Sequence, residues 1–159
     1  MNRCLPLLAA GLTLTAASMA YACPDPASGE AYYSHAERAY YLSDGKTYDV
    51  AIGGSTPWSS CGISGDGFLP EKASIRLDFN AAEGRSALVQ VASGCGMTHM
   101  FVHAGDYRGT ASGVVGTDPV SVVIPRANIG NDQTIMVYLS AGSAGEVCEG
   151  TITFASARG

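Results

Sequence analysis

Charge is what this sequence has little of. Asp, Glu, Lys and Arg make up 14% of its 159 residues, against about 25% in an ordinary soluble domain. A long coiled coil, with charged flanking positions in every heptad, is excluded. The few charges sum to −5, the wrong sign for a nucleic-acid binder. At 47% hydrophobic the chain is too apolar for a disordered polyelectrolyte. Long hydrophobic runs are scarce as well: one short apolar stretch lies near the N-terminus, too little for a polytopic membrane protein. No Gly-Lys-Ser/Thr loop and no strand-to-helix glycine fingerprint is present, so nucleotide binding has no support. Amphipathic helix is also lacking. The best candidate, residues 34–41, is short and ends in a Tyr-Tyr pair that suits a strand equally well. Glycine is abundant: 20 residues, where about 7% is usual. The length corresponds to one domain.

Residues 1–22 read as a signal peptide. Arg3 supplies the positive start, residues 5–17 the apolar stretch, and Ala20-Tyr21-Ala22 the small residues at −3 and −1 before a cut ahead of Cys23. The stretch is too short and too rich in Ala and Thr for a good membrane span. The expected protein is therefore periplasmic or secreted, with no membrane span after cleavage and one domain over 23–159. A cysteine at +1 raises lipid attachment, but Ala20 and Tyr21 depart from the lipid-attachment box, and lipidation would leave an odd number of cysteines. Unlipidated, Cys23, Cys61, Cys95 and Cys148 form an even set, which in an exported chain implies two disulfides. Three pairings are open. The expected one joins Cys23 to Cys61, stapling the new N-terminus to the start of the core, and Cys95 to Cys148, tying a strand end to the penultimate segment.

Elsewhere the hydrophobic period is two, the mark of half-buried strands. Tyr48, Val50 and Ile52 alternate with polar or small residues, as do Ile75, Leu77 and Phe79. Val120, Val122 and Ile124 repeat the pattern, as do Ile135, Val137 and Leu139, and Ile152 with Phe154. Residues 88–91 and 99–102 are short apolar runs bounded by glycine. The separators, such as Asp44-Gly45, Gly53-Gly54, Gly65-Asp66-Gly67, Gly105-Asp106 and Gly130-Asn131-Asp132, tolerate positive φ or bond their own backbone. Short strands at this spacing predict an all-β fold: a single β-sandwich, jelly-roll-like, with two disulfides.

Candidate chemistry is sparse. Cys95-Gly96-Met97-Thr98-His99-Met100-Phe101-Val102-His103 mixes soft sulfur with imidazole, which suits copper; Met97, His99 and Met100 are the candidate ligands. As a strand, however, the segment sets His99 and His103 about 13 Å apart, and Met100 and Val102 then belong to the core with two half-exposed histidines. No metal or other cofactor is expected. His35, His99 and His103 stand among many Ser and Asp residues, but the Ala-Ala-His-Cys and Gly-Asp-Ser-Gly-Gly runs of trypsin-like enzymes are missing, and no catalytic residue is assigned; the reading leans away from an enzyme. Asp106, Asp118 and Asp132 lie in turns without a calcium-loop pattern and read as solvated tips. Tyr32, Tyr33, Tyr40 and Tyr41 form two adjacent pairs; on strands, one of each pair faces out and can stack on a sugar or peptide. Trp58, the single tryptophan, lies just before Cys61, where its ring either packs on a disulfide or sits on a surface loop.

Taken together, Cys23-Pro24-Asp25, Gly53-Gly54 after a strand, Cys61-Gly62-Ile63-Ser64-Gly65-Asp66-Gly67-Phe68, Leu77-Asp78-Phe79, the Val-x-Val-x-x-x-Cys run at 89–95 and Cys148 before a Thr-rich last strand resemble a group of small exported bacterial β-sandwich proteins. These are similar to the bacterial pre-peptidase C-terminal (PPC-like) domain, and some carry a trypsin-like peptidase name. The resemblance covers most of the mature chain. It implies a jelly-roll-like sandwich with paired disulfides and no established activity. An acidic Asn-Asp-x-Asn-Gly loop of that group is replaced here by His103-Ala104-Gly105-Asp106-Tyr107-Arg108-Gly109, so no shared ligand site carries over. The expected function is a non-enzymatic exported module that binds a glycan or a protein at the cell surface or in the periplasm. The alternatives are a small secreted peptidase-like protein and a periplasmic copper-binding protein.

Overall fold

The computed structural model describes residues 22–38, 44–80, 86–114, 118–125 and 133–157. Its strands are β1 (Ala31–Arg38), β2 (Lys46–Gly53), β3 (Thr56–Pro57), β4 (Phe68–Leu69), β5 (Ala73–Asn80), β6 (Ser86–Ser93), β7 (Met97–Ala104), β8 (Tyr107–Val114), β9 (Val120–Ile124), β10 (Gln133–Ala141) and β11 (Val147–Ala157). Two short 3-10 turns, Pro26–Ser28 and Trp58–Cys61, complete the elements. A five-stranded sheet has the order β1-β5-β10-β7-β8 and a four-stranded sheet the order β2-β11-β6-β9; β3 and β4 pair separately. All pairings are antiparallel except β1 with β5. The fold is an all-β sandwich.

The core follows from the alternation. Val50 and Ile52, Ile75 and Leu77, Val89 and Val91, Val120, Val122 and Ile124, Ile135, Val137 and Leu139, and Ile152 and Phe154 all point between the sheets. Each such side chain contributes about 1.5–3 kcal/mol when fully buried. β7 adds Met100, Val102 and Ala104 from the apolar run. Cys95–Cys148 and Cys23–Cys61 are the two disulfides, with Cα separations of 5.7 and 5.6 Å, within the span a bridge requires. The pairing matches the expected one, and bridges of this kind are the mark of an oxidising environment. Among the described residues no helix is long and apolar enough to cross a membrane.

A second, smaller core lies on the outer face of the five-stranded sheet. Trp58, Leu69, Ala73, Phe101, Met136 and Tyr138 bury one another there, with Cys61 and Ile63 at the margin. Trp58 is 1% exposed, so it is neither a surface residue nor simply a lid on the disulfide. The glycine-rich segment after Cys61 is shaped around it: a Cβ on Gly67 would overlap the indole, and one on Gly65, whose φ is +115°, would stand 3.0 Å from the ring. Only residues without a side chain let backbone lie against the ring here. Ser140 Oγ accepts from the Phe68 N–H at 3.0 Å and fastens this segment to β10.

The structure resolves one open segment, adds a strand and corrects one expectation. Of the helix candidate at 34–41, residues 34–38 lie in β1, where pairing with β5 overrides a weak helical preference; the remainder falls outside the described residues. β8 is a strand that the hydrophobic pattern did not announce. Its inward positions Tyr107, Gly109, Ala111 and Gly113 are mostly small, because it forms the sheet edge opposite Ala104, Val102, Met100 and Thr98. His99 is buried rather than half-exposed, because Trp58 and the 64–67 loop cover the outer face of β7.

Candidate functional site

The sandwich has two rims, and a tyrosine spans each. On one, the Tyr107 O–H donates to the Val123 carbonyl at 3.0 Å, joining β8 to β9 across the sheets. On the other, the Tyr48 O–H donates to Glu37 Oε1 at 2.8 Å, joining β2 to β1. The second rim carries a chemistry-bearing cluster. Tyr33 and His35 stand opposite Ile75 and Leu77 in the β1–β5 register, and Glu37 follows two residues on. All three therefore project to the inner side of the sheet, but on its outermost strand, where they overhang the rim. The His35 and Tyr48 rings stack at 4.1 Å with an interplanar angle of 23°. Tyr48 in turn meets Phe154 edge-on at 6.2 Å, which anchors the stack to the core. Burial raises the Tyr48 phenol above its ordinary pKa, and the hydrogen bond to Glu37 and that carboxylate's charge add to the rise. The phenol stays protonated and remains a donor.

Tyr32 and Tyr33 are 55% and 45% exposed. Both are open, where the alternation of a strand in mid-sheet would hide one; β1 is an edge, and its inner side is covered only in part. Tyr40 and Tyr41 lie outside the described residues. Tyr32 points to the other side of β1, so the rim combines the exposed Tyr33 ring, a half-buried imidazole–phenol stack and a half-buried carboxylate. Such a set can stack on the apolar face of a sugar ring and accept hydrogen bonds from its hydroxyls. Tyr32 and Tyr33 were visible in the sequence as a pair. His35, Glu37 and Tyr48 were not singled out; the signal for the first two was the i, i+2, i+4 spacing of Tyr33, His35 and Glu37, legible once the segment is read as a strand.

The other candidates lie on or near β7. Met97, His99, Phe101 and His103 face the outer side, Thr98, Met100, Val102 and Ala104 the inner. The copper candidates are thereby parted: Met97 is 39% exposed and His99 lies beside it on the outer face, while Met100 is fully buried in the core on the other. Among the described residues no group of three or more His, Cys, Asp or Glu is placed to hold a metal ion. His99 Nδ1 and Ser112 Oγ are 2.8 Å apart, a cross-strand pair in the β7–β8 register. Trp58 meets the imidazole edge-on at 5.8 Å. Burial lowers the His99 pKa, and the Asp66 charge partly opposes this. Burial likewise lowers His103, with Arg108 adding to the fall and Asp106 and Asp25 opposing it. Asp106 sits in the β7–β8 turn and Asp118 before β9, on separate loops; Asp132 lies outside the described residues. No protein-family model and no curated protein matches this sequence.

Proposed function

We propose that the chain is an exported β-sandwich module, periplasmic or secreted, that binds a glycan through the aromatic rim formed by β1 and β2. The observation that carries this reading is the exposed Tyr33 on the outermost strand, on the same side as the His35–Tyr48 stack and the Glu37 carboxylate. Large exposed aromatic side chains are costly to leave in water and are characteristic of recognition surfaces. A sugar offers the matching chemistry: axial C–H faces for the rings and hydroxyls for the carboxylate. The signal-peptide features of residues 1–22 and the two disulfides agree with an exported module.

The test is a glycan and peptidoglycan-fragment array with the mature protein, followed by calorimetry on the best ligand. Tyr33→Ala and Glu37→Gln are expected each to weaken binding at least about tenfold, the equivalent of about 1.4 kcal/mol, while Val123→Ala on the opposite rim leaves it unchanged. An array without binding at high protein concentration, or a ligand indifferent to Tyr33 and Glu37, overturns the reading.

A further inference from the structure

We propose that Ser112 is a base-activated nucleophile, with His99 as its general base, and that the pair takes an acyl group from an activated carboxylic ester. The site lies on the outer face of the five-stranded sheet, away from the β1–β2 rim, and is independent of glycan binding. Three features converge. Ser112 is an exposed residue on the edge strand β8, where an electrophile can approach it. The imidazole is 4% exposed and within 2.8 Å of the hydroxyl, the reach a nucleophile–base pair requires. A carboxylate, Asp66, stands on the loop that covers β7 and acts electrostatically on the imidazole. Its role is electrostatic only: the charge favours the imidazolium that forms as Nδ1 takes the proton. The neighbours of His99 on the flanking strands are uncharged: Ser112 on β8 and Ser140 on β10. Trp58, packed edge-on against the ring, has an Nε1–H that is buried without a hydrogen-bond partner among the described residues.

In the proposed step His99 carries its proton on Nε2 and accepts from the Ser112 O–H at Nδ1. Ser112 Oγ attacks the ester carbonyl carbon as its proton passes to Nδ1. The adduct collapses by breaking the bond to the ester oxygen, which leaves with the proton from His99. The product is an acyl-serine, released by water with the same base.

The protein is treated with p-nitrophenyl acetate and followed by release of nitrophenolate, intact mass and peptide mapping. One acetyl group on Ser112, trapped by acid quench before water releases it, is expected in the native protein and none there in Ser112→Ala, an exposed substitution that leaves the core intact. His99→Gln is expected to slow acetylation about 100-fold, the contribution of a general base. The native rate should fall as pH drops through the His99 transition, and Asp66→Asn should move that midpoint to lower pH by removing the charge that favours the imidazolium. No acetyl on Ser112, an unchanged rate in folded His99→Gln, or a rate independent of His99 protonation overturns the proposal. If His99→Gln does not fold, the pH profile of the native protein decides.

Discussion

Trp58 shows how much one side chain organises here. Its ring is the centre of the outer core, and Gly65 and Gly67 lie in close contact with it. Gly67→Ala puts a methyl where the indole already is. It is expected to lower stability by about 1–3 kcal/mol, the usual cost of overpacking, read as a lower urea midpoint. Gly62→Ala is a useful contrast: a Cβ there meets nothing, but φ is +69°, so any loss reflects backbone strain alone. Asp78 is a second organising residue. Burial pushes its carboxyl up, but hydrogen bonds from Thr134 at 2.6 Å and from Arg76, together with the Arg76 charge, more than offset this and hold it below the ordinary value. Arg76 also reaches the Gly29 carbonyl at 3.2 Å, so this pair fastens the N-terminal segment to β5.

At the scale of elements, a tyrosine hydrogen bond ties the edge strands together across each rim. Tyr107→Phe keeps the ring and deletes the bond to Val123. The expected loss is about 1 kcal/mol, with faster hydrogen exchange confined to β8 and β9; exchange that rises throughout both sheets would contradict a local role. Tyr48→Phe should act in the same way on β1 and β2, and should also free Glu37. The strands the sequence made legible were those with one face buried by the opposite sheet, such as β5, β9 and β10, where Ile, Val and Leu recur every second residue. β8 was hidden because its inner positions after Tyr107 are Gly and Ala. β3 and β4 are two residues each, too short for any period to register. His99 was misjudged because exposure of an outward-facing residue depends on what crosses the sheet, and the covering loop comes from residues 64–67, far away in sequence.

For the whole molecule, the disulfides and the histidines set the response to conditions. Cys95–Cys148 closes a separation of 53 residues between the start of β7 and β11. Replacing both by serine is expected to cost about 2–4 kcal/mol, measured by denaturation of the double variant under oxidising conditions. Loss of Cys23–Cys61 should first release the N-terminal segment and the Trp58 core, seen as a shift in tryptophan fluorescence before global unfolding. His99 and His103 both have pKa values lowered in the fold, chiefly by burial. The unfolded chain therefore binds protons more readily than the native one as pH falls below the free histidine value of about 6.5. Stability should decline from neutral pH toward pH 5 for this reason, and His103→Gln should flatten part of that decline. Asp78, with a lowered pKa, contributes stability above its unfolded value of about 3.9, and that contribution is lost as pH falls through its folded one.

The sequence by itself determined the all-β class, most of the long strands and the paired cysteines. Period-two alternation, glycine turns and an even cysteine set are local or countable properties, and burial between two sheets enforces them at each position. The tertiary structure decided what stands next to what. It placed His35 and Glu37 of β1 against Tyr48 of β2, and buried Trp58 and His99 under a loop. Those outcomes depend on sheet order, on which strands form the edges and on which segment crosses the outer face. Long-range packing fixes all three, and no spacing along the chain encodes them.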